Sequence, residues 1–216
     1  MKISYGITVH KEHEELNQLL ELLINETDTE DEIIIVQDGD DKKIGEIISK
    51  WMNETLDWKP IYWHTHELNG DFAKHKNFVI EQCDGDYIFH IDADEYPNTT
   101  LIKQVKDILK INQVDLIWVP RVNTVDGITD EHIRQWGWKL TEQGWVNYPD
   151  YQSRIFRNHE SIRWSRPVHE QIQGCKTYAH LPPHEELSLY HPKTIQKQES
   201  QNQLYSDIVY GKDKNT

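Results

Sequence analysis

The sequence lacks long runs of apolar residues. Its longest unbroken runs, residues 33–36 and 116–119, have four residues each, whereas a membrane-spanning helix needs about 20. The N-terminal residues also lack the apolar core of a secretory signal peptide. We therefore expect no transmembrane segment and a cytoplasmic protein.

Basic residues and cysteines are scarce as well. The 216 residues include 23 lysines and arginines against 37 aspartates and glutamates, a formal net charge of −14. Such a chain repels polyanions, so we expect no nucleic-acid partner, and a phosphate-bearing ligand would need local cations or a bound metal ion. The two cysteines, Cys83 and Cys175, suit a reducing compartment, in which we expect free thiols.

Two common nucleotide-binding motifs are missing. The sequence contains no G-x-G-x-x-G after a predicted strand and no G-x-x-x-x-G-K-[ST]. The chain is nevertheless of one-domain length, and 37% hydrophobic residues are enough for a core. A phosphate-bearing ligand would therefore be held by another arrangement.

Strand-like and helix-like segments alternate through the first half of the chain. Apolar runs predict strands at 3–9, 32–37, 61–64, 86–91 and 116–120. Helical periodicity predicts helices at 11–25, 72–82 and 99–111, and a further helix that runs through Ile44 to Trp51. This alternation is typical of an α/β fold with a mainly parallel sheet flanked by helices.

The pattern changes after residue 120. Residues 121–180 are rich in tryptophan, glycine and arginine and predict short, antiparallel strands and loops, of which 153–157 is the clearest. A terminal helix is predicted at 193–210. We expect a single domain, 1–216, in which 1–120 builds most of the sheet and 121–216 completes it and forms a pocket wall.

Polar side chains follow three of the predicted strands. Ligands of open α/β sheets bind at the carboxyl ends of strands, which here carry Thr8 to Glu12, Asp38, and the run Asp92-Ala93-Asp94-Glu95. The alternating carboxylates of Asp92 and Asp94 suit Mg²⁺ or Mn²⁺, which bind one or two carboxylates together with substrate phosphates. The alternative is that both aspartates are turn and helix-cap residues.

Several sequence blocks carry a resemblance to a known family. In order they are the strand end Thr8-Val9-His10 with the helix after it, EIIIVQDGD, GDFAKHKN, GDYIFHIDADEYP, RIFRN, IRW and VHE. Together they resemble family 2 glycosyltransferases with the GT-A fold, and most of all the small bacterial lipopolysaccharide-type glucosyltransferases. The likeness covers nearly the whole chain. It departs at Gln37, where relatives often have an acidic residue, and at Lys76, where they often have arginine.

The resemblance implies a set of donor-binding residues. The first strand end would clasp the nucleotide base, Asp38 would contact base or ribose, and Lys76 would act as a point charge for phosphate. Asp92 would be shared between ribose and metal, and Asp94 would be the stronger metal ligand. The residues predicted to bind the nucleotide sugar are Thr8, Val9, His10, Glu12, Asp38, Lys76, Asp92, Ala93 and Asp94.

Transfer with inversion also needs a general base, which a carboxylate can provide. Glu170 is our first candidate and Glu95 the second. His169 and His191 are alternative ligands to complete the metal shell as neutral imidazoles. Neighbouring residues on an extended segment point to opposite faces, so His169 and Glu170 can serve one pocket only from a loop or turn.

Three further patterns are left open. The rings between Trp136 and Trp164 are interpreted as an acceptor wall or as core filling. The arginines Arg154, Arg157, Arg163 and Arg166 would offset an anionic ligand or pair with the abundant carboxylates. His64 and His66 resemble a metal pair, but we expect them to be ordinary strand and loop histidines.

The strand ends and the resemblance together predict a metal-dependent, inverting glycosyltransferase. It would use Mn²⁺ or Mg²⁺ to move a hexose from a nucleotide-diphosphate sugar, expected to be UDP-linked, to a hydroxyl of a glycan or glycolipid. The alternatives are a sugar-phosphate nucleotidyltransferase and a non-catalytic carbohydrate-binding protein on a transferase fold.

Overall fold

The computed structural model describes residues 1–210, with side chains as far as residue 203. The last six residues of the predicted acceptor-side half, 211–216, lie outside the described residues. The helices are α1 (His13–Glu26), α2 (Lys42–Thr55), α3 (Phe72–Gln82), α4 (Thr99–Asn112), α5 (Asp130–Trp136) and α6 (Ile195–Tyr210), with one 3₁₀ turn at Glu185–Leu187.

Twelve strands are described in the same residues. They are β1 (Ile3–Val9), β2 (Glu32–Gln37), β3 (Ile61–Thr65), β4 (Tyr87–Asp92), β5 (Tyr96–Pro97), β6 (Leu116–Val119), β7 (Arg121–Asp126), β8 (Gln152–Arg157), β9 (Arg163–Ser165), β10 (Gln171–Gln173), β11 (Tyr178–His180) and β12 (Leu189–Thr194).

Seven strands form the central sheet, in the order β11-β6-β8-β4-β1-β2-β3. Strands β1 to β4 are parallel where they pair, and β11 is parallel to β6. Strand β8 alone runs antiparallel, pairing with β4 on one side and β6 on the other. The predicted mainly parallel, helix-flanked α/β sheet is confirmed.

Local sequence explains the first-half elements. All six residues of β2 are buried, as expected for a central parallel strand covered on both faces. The leucine face of α1 packs into the core, and side-chain oxygens of Asp41, Asp71 and Asn98 cap α2, α3 and α4 by accepting backbone N–H bonds. Every strand and helix predicted before residue 120 is present, with ends shifted by at most two residues except in α2, which continues four residues past Trp51.

The second half forms two smaller sheets besides completing the central one. Strand β12 lies between β5 and β7, and β9 pairs with β10. The prediction of antiparallel strands across 121–180 is correct for β8 and for β9–β10. It is wrong for β7, which pairs parallel with β12, and for β11, which is parallel to β6. Those partners come from distant parts of the chain.

Helix α5 is an element that the sequence pattern did not predict. It is seven residues long, and none of its residues is buried. It therefore packs no apolar face onto the core. A capping box starts it, in which Thr129 and His132 satisfy each other's backbone N–H groups. The predicted terminal helix begins at Ile195, two residues later than expected.

Two other expectations concern membranes and thiols. Within residues 1–210, no helix is both long and apolar enough to cross a membrane. Cys83 and Cys175 are free thiols. The predicted cytoplasmic location stays a prediction.

Candidate functional site

A cleft of about 530 Å³ opens at the carboxyl ends of β1, β2 and β4. All nine residues predicted to bind a nucleotide sugar line it, and so do the later candidates His169, Glu170 and His191. Among the predicted site residues, Glu95 is the exception. The topology brings the strand ends together, because parallel neighbours finish at the same edge of the sheet.

The ends of β1 and β2 form one side of the cleft. The backbone N–H of Asp38 donates to the carbonyl of Val9 at 2.8 Å. The Asp38 carboxylate accepts from the N–H of Leu68 at 2.9 Å and lies 3.3 Å from Nδ1 of His10. This carboxylate is therefore held in place beside the β1 strand end.

Asp92 ends β4 and is surrounded by cations. Its Oδ2 accepts from Arg154 at 2.6 Å, and its Oδ1 lies 3.0 Å from the Thr8 hydroxyl and 3.5 Å from Nζ of Lys76. Burial would raise the pKa of Asp92, but Arg154 and Lys76 outweigh it and hold that pKa well below its ordinary value. Asp92 is therefore ionised, with both of its oxygens already engaged.

Asp94 faces a histidine from the second half. Its Oδ2 lies 3.3 Å from Nε2 of His191, whose Nδ1 lies 2.9 Å from the side-chain oxygen of Asn123. The amide nitrogen of Asn123 donates to Asp150 at 2.8 Å, which fixes the amide orientation. The oxygen of Asn123 therefore accepts from Nδ1–H, and Nε2 is the ring nitrogen that faces the Asp94 carboxylate.

Asp94 and His191 together suit a divalent cation whose remaining ligands come from the substrate. Across the described residues, no group of three or more His, Cys, Asp or Glu is placed to hold one metal ion. Mg²⁺ sites in phosphate-transferring enzymes commonly use only one or two protein ligands and fill the rest with phosphate and water. The carboxylate of Asp94 and Nε2 of His191, which would bind a metal ion as a neutral imidazole nitrogen, meet that requirement better than Asp92, which is bound to Arg154.

Glu170 reaches the cleft from the loop after β9. Its carboxylate accepts from Nζ of Lys76 at 2.5 Å, and that ammonium lies 4.9 Å from the centroid of the Trp164 ring. Burial raises the pKa of Glu170, and the Lys76 ammonium lowers it to a net value below the ordinary one. Its side chain keeps 18% exposure.

His169 occupies the turn that the sequence argument required. Its φ of 54° is left-handed, so the chain reverses locally, and both His169 and Glu170 line the cleft. The two neighbours therefore serve one pocket from a turn.

Glu95 has a different environment from the one predicted. Its side chain is fully buried, and its Oε1 accepts from Arg121 at 2.7 Å and from Arg154 at 2.6 Å. It does not line the cleft, so it has no direct path to an acceptor hydroxyl. The geometry is that of a residue that positions two arginines rather than of a general base.

Sequence reasoning missed most of the network behind the cleft. Arg121 donates to both Glu95 and Asp150. Negative and positive side chains therefore alternate in the order Asp92, Arg154, Glu95, Arg121 and Asp150. Of the four clustered arginines, only Arg154 lines the cleft. The sequence does contain a signal that separates Arg154 from Arg157. Both lie on β8, and residues three apart on a strand point to opposite faces of the sheet, so only one of the two can face the cleft.

The other patterns noted in the sequence are the aromatic rings and the neighbouring histidines. Of the rings between Trp136 and Trp164, only Trp138 and Trp164 line the cleft. The Nδ1 atoms of His66 and His75 lie 3.1 Å apart, and His66 stacks on Phe78. Within the described residues this histidine pair lacks a third metal ligand.

Buried His75 predicts a loss of stability in acid. Burial lowers its pKa in the folded chain to about 4, against 6.5 in an unfolded chain. Below pH 6.5 the unfolded state binds a proton that the folded state excludes, so the free energy of unfolding falls as pH drops from 6.5 to 4. The contribution is about 1 kcal/mol per pH unit in that window.

Urea unfolding between pH 4.5 and 7 tests this expectation. His75→Gln should reduce the slope by about half, because His90 is also buried, has its pKa lowered to about 4 and contributes in the same window. His159→Gln, at an exposed position, should keep the wild-type slope. Equal slopes for both variants and the wild type would exclude a role for His75.

The chain matches known proteins over most of its length. The family model described as "Glycosyl transferase family 2" matches residues 4–180. An uncharacterized glycosyltransferase, EpsJ of Bacillus subtilis strain 168, is 26% identical over 102 residues, which are 47% of this chain and 28% of EpsJ. The poly(ribitol-phosphate) β-N-acetylglucosaminyltransferase TarS of Staphylococcus aureus strain Mu50 is 23% identical over 121 residues, which are 55% of this chain and 21% of TarS.

Solved structures of TarS share the fold. The crystal structure of S. aureus TarS 1–349 in complex with UDP superposes with a TM-score of 0.64 at 15% identity, covering 97% of this chain and 65% of that one. The complex of the same fragment with UDP-GlcNAc gives a TM-score of 0.64 at 16% identity and covers 89% of this chain and 59% of that one. The chain thus spans less than a third of the length of EpsJ and TarS.

Proposed function

Because the chain belongs to glycosyl transferase family 2, we propose that it moves a hexose from a UDP-linked sugar to a hydroxyl of a glycan or glycolipid, with inversion. In this proposal 1–216 is one GT-A domain, in which 1–120 binds the donor and 121–216 the acceptor. The observation that carries it is the assembly in one cleft of all nine predicted donor-binding residues with Glu170 and His191.

The charge of the cleft supports a metal requirement. Its described lining holds six carboxylates (Glu12, Asp38, Asp92, Asp94, Asp150 and Glu170) and four permanent cations (Lys76, Arg121, Arg154 and Lys193). A diphosphate adds further negative charge to a surface that is already acidic. Mn²⁺ or Mg²⁺ held by Asp94 and His191 would neutralise the diphosphate and stabilise it as the leaving group.

The chain's own residues bind and orient the donor. The β1 strand end and the fixed carboxylate of Asp38 form the side of the cleft suited to base and ribose. Lys76 is 6% exposed and lies between Asp92 and Glu170, where its ammonium acts as a point charge for phosphate. The buried pair of Arg154 and Glu95 holds Asp92 in position.

Glu170 is the proposed general base. The acceptor oxygen forms a bond to the anomeric carbon while the bond from that carbon to the diphosphate breaks, and the hydroxyl proton passes to the Glu170 carboxylate. UDP leaves with the electron pair of the broken bond. Lys76 now pairs with Glu170, so a diphosphate that draws the ammonium away would free the carboxylate for the proton.

A thermal-shift screen of nucleotide sugars tests the proposal. With Mn²⁺ present, a UDP-sugar at about 100 times its dissociation constant should stabilise the protein by about 2.7 kcal/mol, and without a divalent cation the shift should largely disappear. Stabilisation by glycans alone, independent of nucleotide and metal, would instead support a carbohydrate-binding protein. Stabilisation by a nucleoside triphosphate with a sugar phosphate would support a nucleotidyltransferase.

A further inference from the structure

One tryptophan of the second half lines the cleft from a short hairpin, residues 138–148. The backbone of this hairpin is closed by bonds from Thr141 N–H to the carbonyl of Trp145 at 3.0 Å and from Asn147 N–H to that of Lys139 at 2.8 Å. It is tied to β7 by the bond from Val146 N–H to the carbonyl of Asn123 at 2.8 Å. The hairpin that carries Trp138 is therefore held in place by backbone hydrogen bonds.

The ring of Trp138 is also supported from the side. Its centroid lies 4.7 Å from that of Trp136, whose ring in turn stacks on His132 at 5.1 Å. Trp138 remains half-buried and lines the cleft, whereas Trp136 and His132 do not. Trp138 is thus an aromatic side chain of the cleft lining that a neighbouring ring supports.

Two amides and a carboxylate that follow Trp138 in the chain also line the cleft. They belong to Asn147, Gln152 and Asp150, and Oδ1 of Asp150 accepts from the Gln152 amide at 3.0 Å. Such groups donate to and accept from sugar hydroxyls in any orientation. An aromatic surface with a few placed polar groups is a typical arrangement for a small neutral ligand.

The two arginines that line the cleft are paired with carboxylates. Arg121 is bound by Glu95 and Asp150, and Arg154 is bound by Asp92 and Glu95. Within the described residues, Lys193 has no carboxylate within 4 Å, and its ammonium donates to the side-chain oxygen of Gln201. The described lining thus holds six carboxylates against four cations, and this negative balance disfavours an anionic acceptor.

We propose that the acceptor presents a neutral sugar ring, which stacks on Trp138, and that it is not a polyol phosphate. This inference rests on the proposed function and narrows its acceptor class. The apolar face of a pyranose would cover the indole, while its hydroxyls reach Asn147, Asp150 and Gln152. TarS, by its name, acts on poly(ribitol-phosphate), an acceptor with negative charge in every unit, so the two proteins would differ at this wall.

Saturation-transfer NMR on the full chain, saturated with UDP and Mn²⁺, tests the acceptor class. The neutral probes are the methyl glycosides of glucose, galactose, mannose and N-acetylglucosamine, and the anionic probe is ribitol 5-phosphate. We expect at least one glycoside to bind about tenfold more tightly than ribitol 5-phosphate. Tighter binding of ribitol 5-phosphate, or no saturable glycoside binding, overturns the inference.

Two substitutions test the role of the ring. Trp138→Leu keeps an apolar side chain but removes the aromatic face, and should weaken glycoside binding about tenfold. Trp138→Phe keeps an aromatic ring and should stay within about threefold of the wild type. Trp63→Leu, at the far sheet edge and outside the cleft, is the matched control and should change nothing. Equal glycoside affinities for Trp138→Leu and Trp138→Phe overturn the stacking.

UDP affinity, measured by calorimetry on the same samples, separates the two proposals. If the wild type binds UDP but no glycoside, the acceptor inference is wrong and the donor proposal stands. If the wild type does not bind UDP with Mn²⁺, both are wrong.

Discussion

Glu170→Gln is expected to slow sugar transfer by about 10²- to 10⁴-fold, the range found when a general base is removed. Glutamine keeps the shape of the side chain and its contact with Lys76, but it cannot accept the acceptor proton. The rate of UDP release, measured with the donor from the thermal screen and a glycoside acceptor, reports the loss. UDP affinity on the same sample shows that the cleft is intact.

The matched control for this change is Glu160→Gln, an exposed glutamate ten residues earlier in the chain. It should retain wild-type turnover. If Glu170→Gln also kept turnover within about threefold, Glu170 would not be the base, and Asp150 would be the next carboxylate of the cleft to test.

Asp94→Ala should reduce Mn²⁺-supported UDP affinity by more than about 100-fold, since replacing a residue that only hydrogen-bonds to a metal ligand already costs about 10- to 100-fold in metal affinity. Its carboxylate faces Nε2 of His191, and neither oxygen of Asp94 is held by an arginine or lysine within 4 Å in the described residues. Calorimetry with and without Mn²⁺ measures the effect.

Asp40→Asn provides the control for that loss, since Asp40 is exposed on the loop after β2 and does not line the cleft. His191→Ala should weaken binding in the same direction as Asp94→Ala. An Asp94→Ala protein that bound UDP as the wild type does, with the same response to Mn²⁺, would contradict the assigned ligand pair.

The first half of the fold was predictable because each of its elements is coded locally. Apolar runs such as 32–37 become fully buried parallel strands, and the leucine face of α1 has the spacing of one helical side. The donor side followed from the same information, since parallel strands end at one edge and bring their terminal polar residues together. Eight of the donor-side residues line the cleft for this reason, whereas Lys76, on α3, was predicted from the family resemblance.

The second half depends on contacts that no local pattern encodes. The parallel pairing of β7 with β12 joins segments almost 70 residues apart. Glu95 follows Asp94 directly, yet it turns away from the cleft because the partly buried Arg121 and the buried Arg154 compensate its charge. Burial of an ionised side chain is possible only with such partners, and their arrival is a property of the tertiary fold.

The most direct measurement of the central claim is anomalous diffraction from a crystal soaked with UDP and Mn²⁺. The account predicts a manganese peak between Asp94, His191 and the diphosphate, with the nucleoside beside Asp38 and the end of β1. A map that showed UDP in the cleft with no manganese beside it and with Asp94 turned away would contradict it.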